Sequence, residues 1–206
     1  MTVSATIPPD GASPPEPADQ AGVLTRYDEL AALLAGIDDR PPADPNLVAA
    51  AAPVLLHEAR LLDGGRFEDW LCGWTDDAVL WVPLSVPAHP GTDQSLLLDD
   101  RRRLAERVEW RRDPSAWGQQ PPSRTTRIVG GMEAWAAPEG GLVTRSTLLI
   151  DEHRHGHHQQ LTAIQIHEFV GEVGGELRRR TELRRRTKIL VVPALGTGVR
   201  NPSFLL

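Results

Sequence analysis

The sequence has little of several things that whole classes of protein require. Among its 206 residues there is one cysteine, Cys72, so an internal disulfide is impossible. Its apolar runs are short, and none approaches the ~20 residues of a membrane-spanning helix. The first residues lack a basic segment followed by an apolar one, so we expect no secretory signal. These features together predict a cytoplasmic protein that does not enter a membrane.

Positive charge is also in short supply. The formal net charge is -6, which argues against binding to the phosphate backbone of nucleic acids. Arginine is nevertheless locally dense, at Arg101–Arg103, Arg178–Arg180 and Arg184–Arg186. Without a stacking platform or a recognised motif beside them, such runs indicate solvated faces or ion pairs between subunits rather than a nucleic-acid site.

Hydrophobic residues make up 40% of the chain, enough for one folded domain of ordinary size with an appendage. Residues 1–45 are rich in proline mixed with Ala, Asp, Gly and Ser, a composition that buries too little apolar surface to offset the entropy of ordering. We predict a flexible arm there and a folded domain over residues 46–206. Within the arm, Leu24–Ile37 has helical spacing and predicts a short docking helix.

The remaining chain changes from helical to strand patterns. A helix is predicted from Pro53 to Gly64, and a second places Phe67, Trp70, Leu71 and Trp74 on one face. A further helix, capped by Asp99 or Asp100, is predicted to run to about Arg112. The predicted strands are Val79–Leu84, Thr125–Trp135, Leu142–Ile150, Leu161–Val170 and Arg184–Val192. Helices followed by a meander of strands indicate an α+β fold with helices on one face of a curved antiparallel sheet.

The most metal-like residues are four histidines, His153, His155, His157 and His158, in a polar stretch that contains Gly156. A metal site needs ligands that converge at fixed distances. A hairpin tip instead directs alternate side chains to opposite faces. We therefore expect an exposed turn with adventitious zinc or nickel binding at most, and no metal site.

Candidate catalytic groups are few. Cys72 has no base beside it in the sequence and is expected to be a small buried apolar residue. His57 and Glu58 on a helix, or His167 and Glu168 on a strand, are candidate acid–base pairs, but neighbours on a strand point to opposite faces. An isomerase site would need a phenolic or carboxylic donor, and the only tyrosine, Tyr27, falls in the predicted arm. We expect no catalytic residue.

Several stretches, in this order and spacing, resemble the β (small) subunits of aromatic-ring-hydroxylating dioxygenases. They are Glu58–Asp63, Arg66–Leu71, Trp74–Ala78, Leu80–Leu84, Ser95–Arg101, Leu104–Val108, Ala116–Trp117, Pro121–Val129 and Ser203–Leu206. The likeness covers about residues 54–206. It implies a cystatin-like, nuclear-transport-factor-like cone of helices on a curved sheet.

The resemblance also implies a division of labour. In this family three β subunits pack with three α subunits, and the α subunit carries a Rieske [2Fe-2S] cluster and a mononuclear iron. A Rieske centre requires two Cys and two His, so a chain with one cysteine cannot hold it. We expect no cofactor on this chain, and partner contacts through Trp117, Arg124, Arg127 and Phe204, because Trp and Arg are enriched at interfaces.

Two alternatives of other classes remain open at this point. One is a stand-alone dehydratase or isomerase of the same fold, in which the cone binds a ring compound. The other is a ligand-binding module without catalysis. A neighbouring gene for a larger chain with a Cys-x-His and a Cys-x-x-His pair would favour the subunit interpretation over both.

Overall fold

The computed structural model describes residues 17–113, 121–154, 156–171 and 183–193. Its elements in chain order are α1 (Pro17–Ala35), α2 (Pro45–Asp63), α3 (Phe67–Cys72), β1 (Trp74–Pro83), β2 (Ser95–Asp100), α4 (Arg101–Trp110), β3 (Arg124–Ala136), β4 (Leu142–Arg154), β5 (His157–Val170) and β6 (Arg184–Val191). A short 3-10 helix, Pro138–Gly140, connects β3 to β4.

The strands form one six-stranded sheet in the order β2-β1-β6-β5-β4-β3. The pairings are antiparallel except for β1 with β6, which run parallel. The long β4–β5 hairpin occupies the middle of the sheet, with Leu142 opposite Phe169 at one end and Arg154 opposite His157 at the other. The α+β meander predicted from the sequence is therefore present, with β2 added at one edge.

Three helices cover what we call the inner face of the sheet. Leu62 from α2, Trp70 from α3 and Leu104 from α4 pack on inward side chains such as Leu80 and Leu190. Deeper in α2, Leu55 packs with other buried residues of β3, β4 and β5. Because residues along a strand alternate between faces, each strand gives every second side chain to this core.

The outer face of the sheet is covered by α1. Leu30 and Leu34, together with Ile37 just after the helix, are buried against Trp81 and Ile189. Two expectations change as a result. Helices pack on both faces of the sheet rather than on one, and the packed part of the chain begins before residue 45, because α1 already contributes core residues. The predicted flexibility of residues 1–16 lies outside the described residues.

Some predicted boundaries also shift. Helix α2 begins at Pro45 rather than Pro53, because the side chain of Asp44 caps it and proline is well suited to the first turn. Strand β1 begins at Trp74, directly after Gly73 ends α3, yet Trp74 stays beside Trp70 with ring centroids 5.2 Å apart. The Asp100 cap of α4 is confirmed, since its side chain accepts a hydrogen bond from the Arg103 amide.

In the described ranges, no helix combines the length and apolar character that crossing a membrane would require.

Candidate functional site

A buried ionic cluster lies between α2 and the inner face of the sheet. Glu58 enters from α2, on the same helix face as the buried residues Leu55 and Leu62. His167 on β5 and Lys188 on β6 are direct partners in the strand register, so their side chains point to the same face. The helix stripe and the strand alternation thus bring together ionisable groups that are far apart in sequence.

Glu58 is the centre of this cluster and is 4% exposed. Its Oε1 accepts hydrogen bonds from Lys188 Nζ at 3.0 Å and from Trp70 Nε1 at 2.9 Å. Its Oε2 lies 3.3 Å from an Arg185 guanidinium nitrogen and 3.1 Å from His167 Nε2. Both carboxylate oxygens are therefore occupied by groups of the same chain.

Burial and charge determine the protonation states. Burial alone would raise the pKa of Glu58, but Arg185 and Lys188 outweigh it and hold that pKa well below its usual range. Burial lowers the pKa of His167 to about 4, against the opposing effect of Glu58. Burial likewise lowers the pKa of Lys188 to about 8. Near neutral pH the cluster holds one carboxylate, two cations and a neutral imidazole.

The space beside this cluster is small. A cavity of about 10 Å³ is lined by residues that include Glu58, Arg127 and Lys188. That is the volume one water molecule needs, far below the few hundred Å³ of a ligand pocket. The contacts of Glu58 therefore join α2 to β5 and β6.

A second cluster is exposed at the far end of the β4–β5 hairpin. Asp151 and His153 lie two residues apart on β4, and His158 is the direct partner of His153 on β5. All three side chains are consequently on one face, and their ligand atoms lie within 4.8 Å of one another. The sequence analysis expected the side chains of this hairpin to point to opposite faces. That holds for residues next to each other along a strand, but Asp151, His153 and His158 lie on the same face.

The two candidate acid–base pairs that the sequence offered, and that we did not expect to act, are not formed in the structure. His57 is exposed, whereas Glu58 is buried and meets His167 instead. Glu168 faces away from His167, as strand alternation predicts, and accepts a hydrogen bond from Thr187 Oγ1 at 2.7 Å. The sequence contained one signal for the buried ionic cluster, which is Lys188. A lysine next to apolar Ile189, Leu190 and Val191 in a buried strand needs a buried counter-ion.

Of the four residues predicted to contact a partner chain, Arg124 and Arg127 lie in the described part of the chain. Arg124 is exposed and stays a prediction. The side chain of Arg127 is 4% exposed, and its guanidinium donates to Asp63 Oδ1 at 2.6 Å. The chain's own Asp63 therefore holds this guanidinium, and the partner contact of Arg127 stays a prediction. Trp117 and Phe204 lie outside the described residues.

Two other candidates are also settled by position. Cys72 is exposed at the end of α3, rather than buried as expected, because Gly73 turns the chain there. Tyr27 packs on the outer face with the α1 cluster, so its phenol is separated from the interior by the sheet. Neither residue reaches the ionic cluster.

In the described residues the fold is α+β, with helices packed on a curved sheet and with apolar contacts and ion pairs between α2 and that sheet. The family model described as "Ring hydroxylating beta subunit" matches residues 57–190, more than half of the chain. The chain belongs to the ring-hydroxylating beta-subunit family, which confirms the resemblance predicted from the sequence.

Relatives and a solved structure agree with this assignment. The subunit beta of an N,N-dimethyl phenylurea N-demethylase from Sphingobium sp. (strain YBL2) is 36% identical over 106 residues, covering 48% of this chain and 60% of that protein. The small oxygenase component of a p-cumate 2,3-dioxygenase system from Pseudomonas putida is 38% identical over 87 residues, covering 41% and 48%. The chain thus matches roughly half of each relative's length.

The fold itself is similar to the crystal structure of the beta subunit of benzoate 1,2-dioxygenase from Burkholderia mallei. The TM-score is 0.59 at 20% identity, over 79% of this chain and 99% of that one. At this identity the likeness speaks for the fold alone. It confirms the predicted fold class, helices packed on a curved, mostly antiparallel sheet.

Proposed function

We propose that this chain is the non-catalytic β subunit of a multicomponent Rieske-type aromatic-ring-hydroxylating oxygenase. In this role it supports assembly of an iron-containing α subunit that oxidises an aromatic compound. We further propose a complex of three α and three β subunits in the cytoplasm. The reaction class is that of an oxidoreductase, with the chemistry performed on the other chain.

The observation that carries this proposal is the occupied interior. In a stand-alone dehydratase or isomerase of this fold the cone would hold the substrate. Here Glu58, the best-placed acidic group, is bound by Lys188, Arg185 and Trp70, and the adjoining cavity is about 10 Å³. A ring compound does not fit that space, which favours the subunit over a stand-alone enzyme that would use Glu58.

Cofactor chemistry points the same way. A Rieske cluster needs two thiolates and two imidazoles on paired loops. The chain's one cysteine, Cys72, lies exposed at a helix end. The residues present therefore do not fit the cluster, in agreement with a partner that carries it.

The surface offers features suited to such a partner. Trp110, at the end of α4, is 71% exposed, and Arg124 is exposed at the start of β3. Large aromatic and arginine side chains are typical anchors of protein interfaces. We propose Trp110 and Arg124 as partner contacts, together with the earlier candidates Trp117, Arg127 and Phe204.

The named relatives include both an N-demethylase subunit and a dioxygenase component. Related β subunits are thus found in enzymes named for different reactions. For this chain we propose dihydroxylation of an aromatic compound, and the identity of that compound belongs to the α subunit.

The test is co-expression with a larger chain encoded beside it that carries Cys-x-His and Cys-x-x-His motifs. After removal of any tag, the β chain alone is expected to be colourless and free of stoichiometric iron. The co-purified complex is expected to contain iron and to have the mass of a hexamer. Iron–sulfur absorption in the isolated β chain, or turnover by it, would contradict the proposal.

Two variants refine this test. Trp110→Ala removes an exposed anchor, and hot-spot losses of about 2 kcal/mol correspond to roughly 30-fold weaker association. Arg66→Ala is the control, since Arg66 is exposed and pairs only with nearby Asp69 among the contacts seen. If both variants bind the α subunit equally well, Trp110 is not an interface contact.

A further inference from the structure

The exposed cluster on the β4–β5 hairpin is arranged by the strand register. Asp151 is opposite Gln160, and His153 is opposite His158, so four side chains share one face of the hairpin. Three of them carry atoms that bind transition metals, and the fourth carries an amide. This arrangement follows from two periodicities, alternation along each strand and alignment between strands.

The distances bring the three ligand atoms to one point. Nε2 of His153 lies 2.9 Å from Asp151 Oδ2, and Nε2 of His158 lies 2.6 Å from Asp151 Oδ1. The two imidazole rings are stacked, with centroids 4.4 Å apart and planes inclined by 16°. Both rings therefore direct the same nitrogen toward the same carboxylate.

We propose that Asp151, His153 and His158 form a binding site for one divalent transition-metal ion of the zinc class. Zinc binds imidazole nitrogen and carboxylate oxygen at about 2.0–2.2 Å, which separates neighbouring ligand atoms by about 3.3 Å in a tetrahedral site. The ligand atoms now lie within 4.8 Å of one another, so binding requires the side chains to adjust to that separation. Water completes the coordination.

The neighbouring residues hold this set in place. The amide of Gln160 donates to Asp151 Oδ1 at 3.0 Å, the kind of outer contact that orients a ligating carboxylate. On the opposite face, Glu152 is buried and accepts hydrogen bonds from Ser123 and Gln159. The hairpin end is thus anchored to the segment before β3, and its outward face is presented as a unit.

The charge state also suits a metal ion. An aspartate with ordinary access to water is ionised at neutral pH, so the Asp151 carboxylate can act as a ligand. Imidazole favours zinc, copper, nickel and iron over calcium and magnesium, which prefer oxygen.

Exposure decides what the ion does. The side chains of His153 and His158 are 61% and 50% exposed, so water has free access to the ion. Controlled oxygen chemistry requires a shielded pocket, which this face does not provide. The site is accordingly a clip that joins β4 to β5, separate from the iron chemistry proposed for the α subunit.

The experiment is calorimetric titration of the tag-free full chain with Zn²⁺, with cobalt absorption as a second readout. The expected result is one equivalent of Zn²⁺ and a cobalt spectrum typical of imidazole and carboxylate ligands. His153→Gln and His158→Gln should each weaken binding by about 100-fold, and Gln160→Ala by about 10-fold. His157→Gln is the matched control, because His157 is exposed on the opposite face of the same strand.

Binding that is lost in the His153 and His158 variants but kept in the His157 variant supports the proposal. Three results overturn it: no stoichiometric binding by the parent chain, binding that survives both ligand variants, or an equal loss in the His157 control. Circular dichroism of each variant shows whether the fold is retained. The result is independent of whether an α subunit binds, so the two proposals fail separately.

Discussion

The inner cluster around Glu58 and the hairpin cluster around Asp151 use similar functional groups in opposite surroundings. Each combines a carboxylate with imidazole, the inner cluster with members from α2, α3, β5 and β6 and the hairpin cluster with members from β4 and β5. In the interior, two cations and an indole occupy the carboxylate. On the hairpin, two exposed imidazoles and an amide approach it.

The difference between the two clusters shows how burial determines what a carboxylate can bind. A buried carboxylate must be matched by charge and hydrogen bonds, or it would not remain ionised. Once matched, it has no oxygen left for a ligand and serves to hold α2 on the sheet. The Asp151 carboxylate is only partly buried, and its imidazole partners His153 and His158 are exposed side chains that can turn from the carboxylate to a shared metal ion.

The largest expected effect is the removal of the inner charge. Glu58→Gln keeps the shape but leaves Lys188 and Arg185 buried without a counter-ion. Breaking a buried pair in this way costs about 3–5 kcal/mol of unfolding free energy. Urea denaturation of the purified variant measures this cost.

A matched pair of variants sharpens the result. Glu109→Gln removes an exposed carboxylate from α4 and should leave the denaturation midpoint unchanged. Adding Lys188→Met to Glu58→Gln removes one unpaired cation and should recover part of the lost stability. A Glu58→Gln chain as stable as the parent would show that the inner cluster does not hold α2 in place.

A smaller effect is expected from pH through His167. Its folded pKa of about 4 is below the ordinary value of 6.5, so the unfolded chain binds a proton first as pH falls. The part of the unfolding free energy that depends on a neutral His167 is fully present above pH 6.5. It is lost progressively as the pH falls toward 4. At pH 5 the loss from this one group is about 2 kcal/mol.

The comparison is between the parent chain and His167→Gln, each denatured at pH 7 and at pH 5. The variant should lose less stability than the parent over this interval, whatever its stability at pH 7. Identical losses in both chains would mean that His167 is not held neutral in the fold.

The smallest expected effect lies on the hairpin. Asp151→Asn removes the same charge as Glu58→Gln, but from a partly exposed carboxylate whose histidine partners are exposed, where ion pairs contribute little. We expect no measurable change in the denaturation midpoint of the metal-free chain. A loss comparable to that of Glu58→Gln would erase the distinction between the two clusters.

Much of this fold could be predicted because its signals are local. Gly140–Gly141 and the His-Gly segment mark the turns of β4 and β5, and the strand patterns between them were correct to within a few residues. Strand β2 was missed because Ser95–Asp100 is short and runs directly into the cap of α4. The start of α2 was placed too late because Pro53 is tolerated inside the helix.

The clusters could not be predicted because they depend on long-range register. Glu58 and Lys188 are 130 positions apart, and only the β5–β6 pairing places Lys188 opposite His167. His153 and His158 share a face only when the hairpin register is known. Strand alternation correctly separated His167 from Glu168, but it does not by itself supply the partner across the sheet.

The measurement that tests the central claim most directly is turnover per assembled complex. Glu58→Gln, His167→Gln and the exposed control His57→Gln would each be co-expressed with the α subunit. Hexamer content and product formation would be measured on the same samples. If this chain is a structural subunit, product per hexamer equals that of the parent, and any loss follows lost assembly. A variant that assembles fully but turns over about a thousandfold more slowly, the scale of a lost catalytic group, would contradict the account.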